Sequence, residues 1–136
     1  MPVADSVRVA IASDSDVVTA RQAAREMGAG LGFSSTDLTL LATAISEVAR
    51  NITTYAGTGE VALRVVRERG REGIEVIASD EGPGIADVEL ALQDGYTTGN
   101  GLGLGLPGAR RLVDEFDIQT APGEGTRVTL VKWTRG

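Results

Sequence analysis

The chain has 136 residues, 42% of them hydrophobic and 24% charged, which suits one domain over 1–136 and is too apolar for a disordered segment. It has no cysteine, excluding disulfides and thiolate metal sites, and no histidine, excluding imidazole as base, zinc ligand or phospho-acceptor. A formal net charge of −6 argues against nucleic acid and anionic membranes as partners.

The opening MPVADSVRVAIASDSD lacks the charged start and apolar core of a secretory signal, and the expected setting is cytoplasmic. SVRVAIA (6–12) alternates Val7, Val9 and Ile11, the two-residue period of a half-buried strand. Ser13 to Asp16 offer caps for a helix carrying Val17, Ala20, Ala24, Met27 and Leu31, with Gly28, Gly30 and Gly32 expected to end it. A second helix, capped by Ser34 or Ser35, keeps Leu38, Leu41, Ile45, Val48 and Ile52 on one stripe through about Tyr55.

Two strands follow, 60–68 and 73–79, joined by RGREG as a hairpin with a longer loop. A weak helix is expected over 86–93, then a glycine-rich stretch, then a helix PGARRLVDEF opening on Pro107. Strands 116–121 and 126–133, linked by PGEG, complete the pattern. This order predicts an α/β two-layer sandwich: a mixed, mostly antiparallel sheet with helices on one face.

Glu47 and Asn51 stand one helical turn apart, so their side chains share a face on the shoulder of the apolar stripe. That shoulder is either a solvated helix side or the border of a cleft. In the second case the Asn51 amide oxygen is a hard ligand suited to Mg²⁺, and Glu47 could take a proton from an attacking hydroxyl. ASDEGPGI delivers Asp80 to a strand end and turns at once through Gly82 and Gly84. It is either an ordinary turn or a purine site, in which Asp80 accepts from the adenine amine and the glycines let the ring approach.

GLGLPG (103–108) matches G-x-G-x-x-G literally, but no strand precedes it, so a dinucleotide fingerprint does not fit. No GK pair occurs, which excludes a P-loop. A passive linker fits poorly with Leu102, Leu104 and Leu106. What remains is a loop that covers a ligand and ends at a helix N-terminus, where free amides attract phosphate. Arg110 and Arg111 either face solvent or assist with phosphate or a partner, and Thr126 either belongs to a hairpin or hydrogen-bonds near adenine.

Taken in order, Glu47-x-x-x-Asn51, Asp80-x-Gly82-x-Gly84, Gly99-x-Gly101-x-Gly103-x-Gly105 and Gly125-Thr126 resemble the boxes of the GHKL ATP-binding superfamily, whose nucleotide site is the Bergerat fold. SEVARNITTYAGTGE, IASDEGPGI, DGYTTGNGLGLGLPGARRLVDEF and PGEGT look like the small RsbT-type switch kinases of bacterial partner-switching pathways. The resemblance implies a protein serine/threonine kinase using ATP and Mg²⁺. Its substrate would be a STAS-domain antagonist and a second partner a PP2C-type phosphatase. Glu47 would be general base, Asn51 magnesium ligand, Asp80 adenine reader supported by Gly82, Gly84 and Thr126, and Gly99, Gly101, Gly103 and Gly105 the lid. An anti-sigma factor that sequesters a sigma factor, or an ATPase or histidine-kinase fragment, are the other readings; the lack of histidine leaves the fragment no means of phosphorylating itself.

Overall fold

A computed structural model describes residues 6–84 and 105–134. The elements run β1 (Ser6–Ile11), α1 (Asp14–Leu31), α2 (Ser35–Tyr55), β2 (Gly59–Glu68), β3 (Arg71–Asp80), α3 (Gly105–Leu112), β4 (Glu115–Thr120) and β5 (Thr126–Trp133). The helix expected over 86–93 and the lid glycines Gly99, Gly101 and Gly103 lie outside the described residues.

The five strands form one sheet in the order β1-β2-β3-β5-β4, and each of these pairings is antiparallel. The sheet expected to be mixed is thus antiparallel throughout the described residues. β5 slots between β3 and β4, so Thr126 pairs with Asp80, although the segment between them includes a helix and another strand.

One face of each strand meets the helices. Val9 and Ile11 of β1, Val61 and Leu63 of β2, Ile74, Val76 and Ala78 of β3, and Val128 and Leu130 of β5 are buried there. From α1 come Val17, Ala20, Ala24 and Met27, and from α2 Leu41, Ile45, Val48 and Ile52, as their helical spacing requires. Ile45 is fully buried in the middle of this layer. Ile45→Ala is expected to cost about 2–5 kcal/mol of stability, because the transfer and cavity terms add; urea unfolding measures it. The opposite sheet face carries ion pairs such as Arg8–Glu60 and Arg64–Glu75, with Val131 and Trp133 of β5 buried on it as well. There the hydrogen bond and charge of Glu75 push the Arg64 guanidinium further above its ordinary value.

Three local expectations are corrected. α1 does not stop at Gly28 or Gly30 but continues to Leu31, and Gly32 at φ +87° is its cap. Gly28 serves packing instead: a Cβ there would collide with Leu38 and stand 3.3 Å from Phe33. The β2–β3 connection is not a longer loop but the pair Arg69-Gly70, both at positive φ (52° and 80°), the geometry of a type I′ turn.

The third correction concerns α3, which begins at Gly105 and ends at Leu112 instead of running to Phe116. Asp114 is captured by β5: its N–H donates to Val131 O at 2.9 Å and its Oδ2 accepts from Trp133 N–H at 2.7 Å. Those bonds start strand β4 where a helix would have continued. At the helix starts, α1 is entered through Asp16, whose carboxylate accepts from the N–H groups of Ala12 and Ser13, and α2 through Ser34, whose Oγ accepts from Asp37 N–H. Among the described residues no helix is long and apolar enough to cross a membrane.

Candidate active site

α2 is the spine of the site. Its middle is buried on most sides, from Ala44 to Ala49, because the sheet, α1 and α3 all pack on it. Glu47 is only 8% exposed, so it does not lie on a solvated helix side. Its Oε2 accepts from Gly105 N–H at 2.9 Å, and Oε1 lies 3.4 Å from Arg50 Nη1. Gly105 opens α3 at φ +64°, so the carboxylate meets a helix N-terminus, the end whose dipole favours negative charge.

Asn51 follows one turn later and is half-buried. One further turn brings α2 against the end of β3. A Cβ on Gly82 would stand 2.6 Å from the Ala56 Cβ, and one on Gly59 2.7 Å from Ile52 Cγ2 and 3.2 Å from the Asp80 Cβ. The glycines therefore let the Asp80 turn and the C-terminal end of α2 touch.

Asp80 is half-buried and its Oδ1 accepts from Gly82 N–H at 2.9 Å, a bond that fixes the carboxylate while leaving Oδ2 to accept from elsewhere. Thr126, 7% exposed, faces it across the β3–β5 ladder and shares a 3.0 Å hydroxyl contact with Thr120. Gly84, at φ +75°, passes close to the backbone of Ala121, and Gly123 N–H donates to Pro83 O at 2.7 Å. The turn after β3 is thereby laid along the β4–β5 hairpin.

The structure thus brings together Asp80, Gly82, Gly84 and Thr126 at one end, and Glu47 with Gly105 at the other, with Asn51 on the helix that links them. A cavity of about 350 Å³ adjoins Asp80 and Thr126, walled by Ser79, Thr120, Glu124 and Arg127. No residue of α2 lines it, so this cavity alone does not join the two ends. Arg110 and Arg111 are exposed in the last turn of α3, at the end away from Gly105.

Two groups escaped the sequence. Thr120 Oγ1 bonds both Gly125 O, at 2.8 Å, and Thr126 Oγ1, which steadies the hairpin, yet nothing in FDIQTA marks it. Arg50 beside Glu47 is the other, and its i,i+3 spacing was a signal. Among the described residues no cluster of three or more acidic, histidine or cysteine side chains could hold a metal. The one neutral amide oxygen of Asn51 fits Mg²⁺, which keeps waters and takes its remaining ligands from phosphate.

Comparison with known proteins supplies the family and the fold. Residues 11–132 match the family described as "Histidine kinase-like ATPase domain". The chain is 46% identical over 131 residues, 96% of its length and 98% of the relative's, to the serine/threonine-protein kinase RsbT of Bacillus subtilis. It is 34% identical over 97 residues to the anti-sigma F factor of Caldanaerobacter subterraneus, spanning 67% of this chain and 66% of that one. Among solved structures, the RsbU and RsbW domains of Rv1364c from Mycobacterium tuberculosis superpose with a TM-score of 0.66 at 23% identity, over 98% of this chain and 34% of that one. The mycobacterial sensor histidine kinase MprB gives 0.56 at 21% identity, over 96% and 97%. By these likenesses the chain belongs to the histidine kinase-like ATPase domain family and, within it, to the RsbT-type serine/threonine-protein kinases.

Proposed function

We propose that the chain is a cytoplasmic Mg-ATP-dependent kinase that phosphorylates a serine or threonine of a STAS-domain antagonist and, once released, activates a PP2C-type phosphatase. The observation that carries the reading is the placement of Glu47. It is a carboxylate withdrawn from bulk water, oriented by the Gly105 amide, and one turn from an asparagine suited to magnesium.

Asp80, pinned by Gly82, accepts a hydrogen bond from the exocyclic amine of adenine through its remaining oxygen, and Thr126 stands beside it. Gly82 and Gly84 let the turn after β3 close on Ala56 and on the Ala121 backbone, which holds Asp80 where the purine would meet it. Asn51 offers its amide oxygen to magnesium, and the N-terminus of α3 offers amides to phosphate. Bound Mg-ATP supplies the phosphoryl group and the charge that stabilises its transfer. Glu47 holds the acceptor hydroxyl in line and takes its proton, and the low exposure of the carboxylate excludes competing water.

Asn51→Ala is expected to weaken magnesium-dependent nucleotide binding at least about tenfold, the scale of one lost ligand, while leaving the fold intact. Titration calorimetry with and without Mg²⁺ measures it. Labelled phosphate appearing on a purified STAS-domain protein tests the kinase reading itself; no transfer to any such acceptor would sink it.

A second reading, a nucleotide-gated factor that sequesters a sigma factor, is favoured by the 34% identity to an anti-sigma F factor. A pull-down from cell extract separates the two. A co-purifying sigma factor supports sequestration, and a co-purifying phosphatase supports partner switching.

A further inference from the structure

The chain has twelve arginines and a single lysine, Lys132, and that lysine is buried. It sits in β5 opposite Ile74, on the strand face turned toward the helices, and is 3% exposed. Its Nζ donates to the carbonyl of Leu112, the last residue of α3, at 3.1 Å and lies 3.9 Å from Oδ1 of Asp37, itself 5% exposed in the first turn of α2. A buried ion pair brings little net stability over an apolar pair of similar volume, so stability alone is a weak reason for this one.

Its position supplies another reason. α3 is eight residues long, about 12 Å at the helical rise, and both of its ends are held. The N-terminal end donates Gly105 N–H to Glu47, and the C-terminal carbonyl meets Lys132, where a cation complements the helix dipole. Glu47 and Asp37 lie on the same helix, about 15 Å apart at that rise. α2 and α3 are therefore pinned antiparallel at two points, Asp37–Lys132–Leu112 at one end and Glu47–Gly105 at the other.

We propose that Lys132 is a positioning residue: by fixing the C-terminal end of α3 against Asp37, it sets the axial place of α3 and so holds the Gly105 amide on Glu47. Leu106 and Ala109 still pack α3 into the core without the ammonium, but its C-terminal end loses the tie to Asp37, and the Gly105 amide is held less closely on the carboxylate. The neighbouring bonds of Asp114 to β5 fix the turn after α3 but do not reach α2, whereas Lys132 bridges that end of α3 to the helix that carries Glu47.

This inference rests on the kinase reading of Glu47, and its test has an arm that does not. Lys132→Met keeps the volume and removes the charge; Asp37→Ala removes the partner. In both, exchange of the Gly105 amide is expected to quicken about tenfold, an opening local to α3. Transfer to the STAS-domain acceptor should show kcat about tenfold lower with KM for ATP changed less than about twofold, because Asp80 and Thr126 are untouched. Unchanged Gly105 exchange with unchanged kcat overturns the proposal. So does a raised KM at constant kcat, or failure of both variants to fold, which would make Lys132 a stability residue. If the parent chain transfers no phosphate, the kinase reading falls, and Gly105 exchange still decides whether Lys132 holds α3.

Discussion

Glu47→Gln is expected to bind ATP as the parent chain does and to transfer phosphate about 10²- to 10⁴-fold more slowly, the range of a lost general base. Glutamine keeps the length of the side chain and an amide oxygen that can accept from Gly105 N–H, so α3 stays docked on α2. What disappears is basicity. Nucleotide affinity should hold within about twofold, since the residues proposed to face the purine, Asp80 and Thr126, belong to β3 and β5 rather than to this part of α2. Glu47→Ala is a different perturbation: it removes the acceptor as well, so exchange at Gly105 should quicken in the alanine variant and not in the glutamine one. Single-turnover transfer and calorimetry on both variants separate the two roles of the side chain. Full activity in Glu47→Gln would show that another group takes the proton.

Much of this site was legible because it is written in short-range spacing. Glu47 and Asn51 are i,i+4 on a helix whose apolar stripe is clear from Leu41 to Ile52, and a strand that ends in Asp80 before two glycines announces a turn at the sheet end. The alternation of β1 and the stripes of α1 and α2 marked which faces are buried for the same reason. Most of the failures share a cause too: each depends on a residue outside the element being read. Gly28 reads as a helix breaker until Leu38 and Phe33 are seen packed on it. The end of α3 at Leu112 follows from bonds between Asp114 and β5, and the Asp80–Thr126 pairing from the insertion of β5 beside β3. The Asp37–Lys132 contact joins the second helix to the last strand and has no local signature at all. RGREG failed differently, since an arginine at φ 52° is the rarer choice for a two-residue turn.

Gly125→Ala is expected to destabilise the chain by about 3 kcal/mol, combining the cost of a left-handed alanine with that of an overpacked contact, and to lower ATP affinity at least about tenfold. Gly125 has φ +79°, and a Cβ on it would collide with the Asp80 carbonyl oxygen while standing 3.1 Å from the Asp80 carbonyl carbon and the Glu81 Cα. Those are backbone atoms at the last rung of the β3–β5 ladder, so the methyl can be housed only by forcing the two strand ends apart. That movement separates the Asp80 carboxylate from Thr126 and disturbs the Thr120 bond to the Gly125 carbonyl. Gly123 provides the control, with the same φ of +79° and no atom within 4 Å of where an alanine methyl would sit. Gly123→Ala should therefore cost only the conformational part, about 1–2 kcal/mol, and leave nucleotide binding near that of the parent. Thermal melts and calorimetry of the pair isolate the contact from the backbone strain, because the two glycines differ in the first and not in the second. Equal losses of ATP affinity in both variants would mean that hairpin strain, and not the approach of Gly125 to Asp80, governs the purine end of the site.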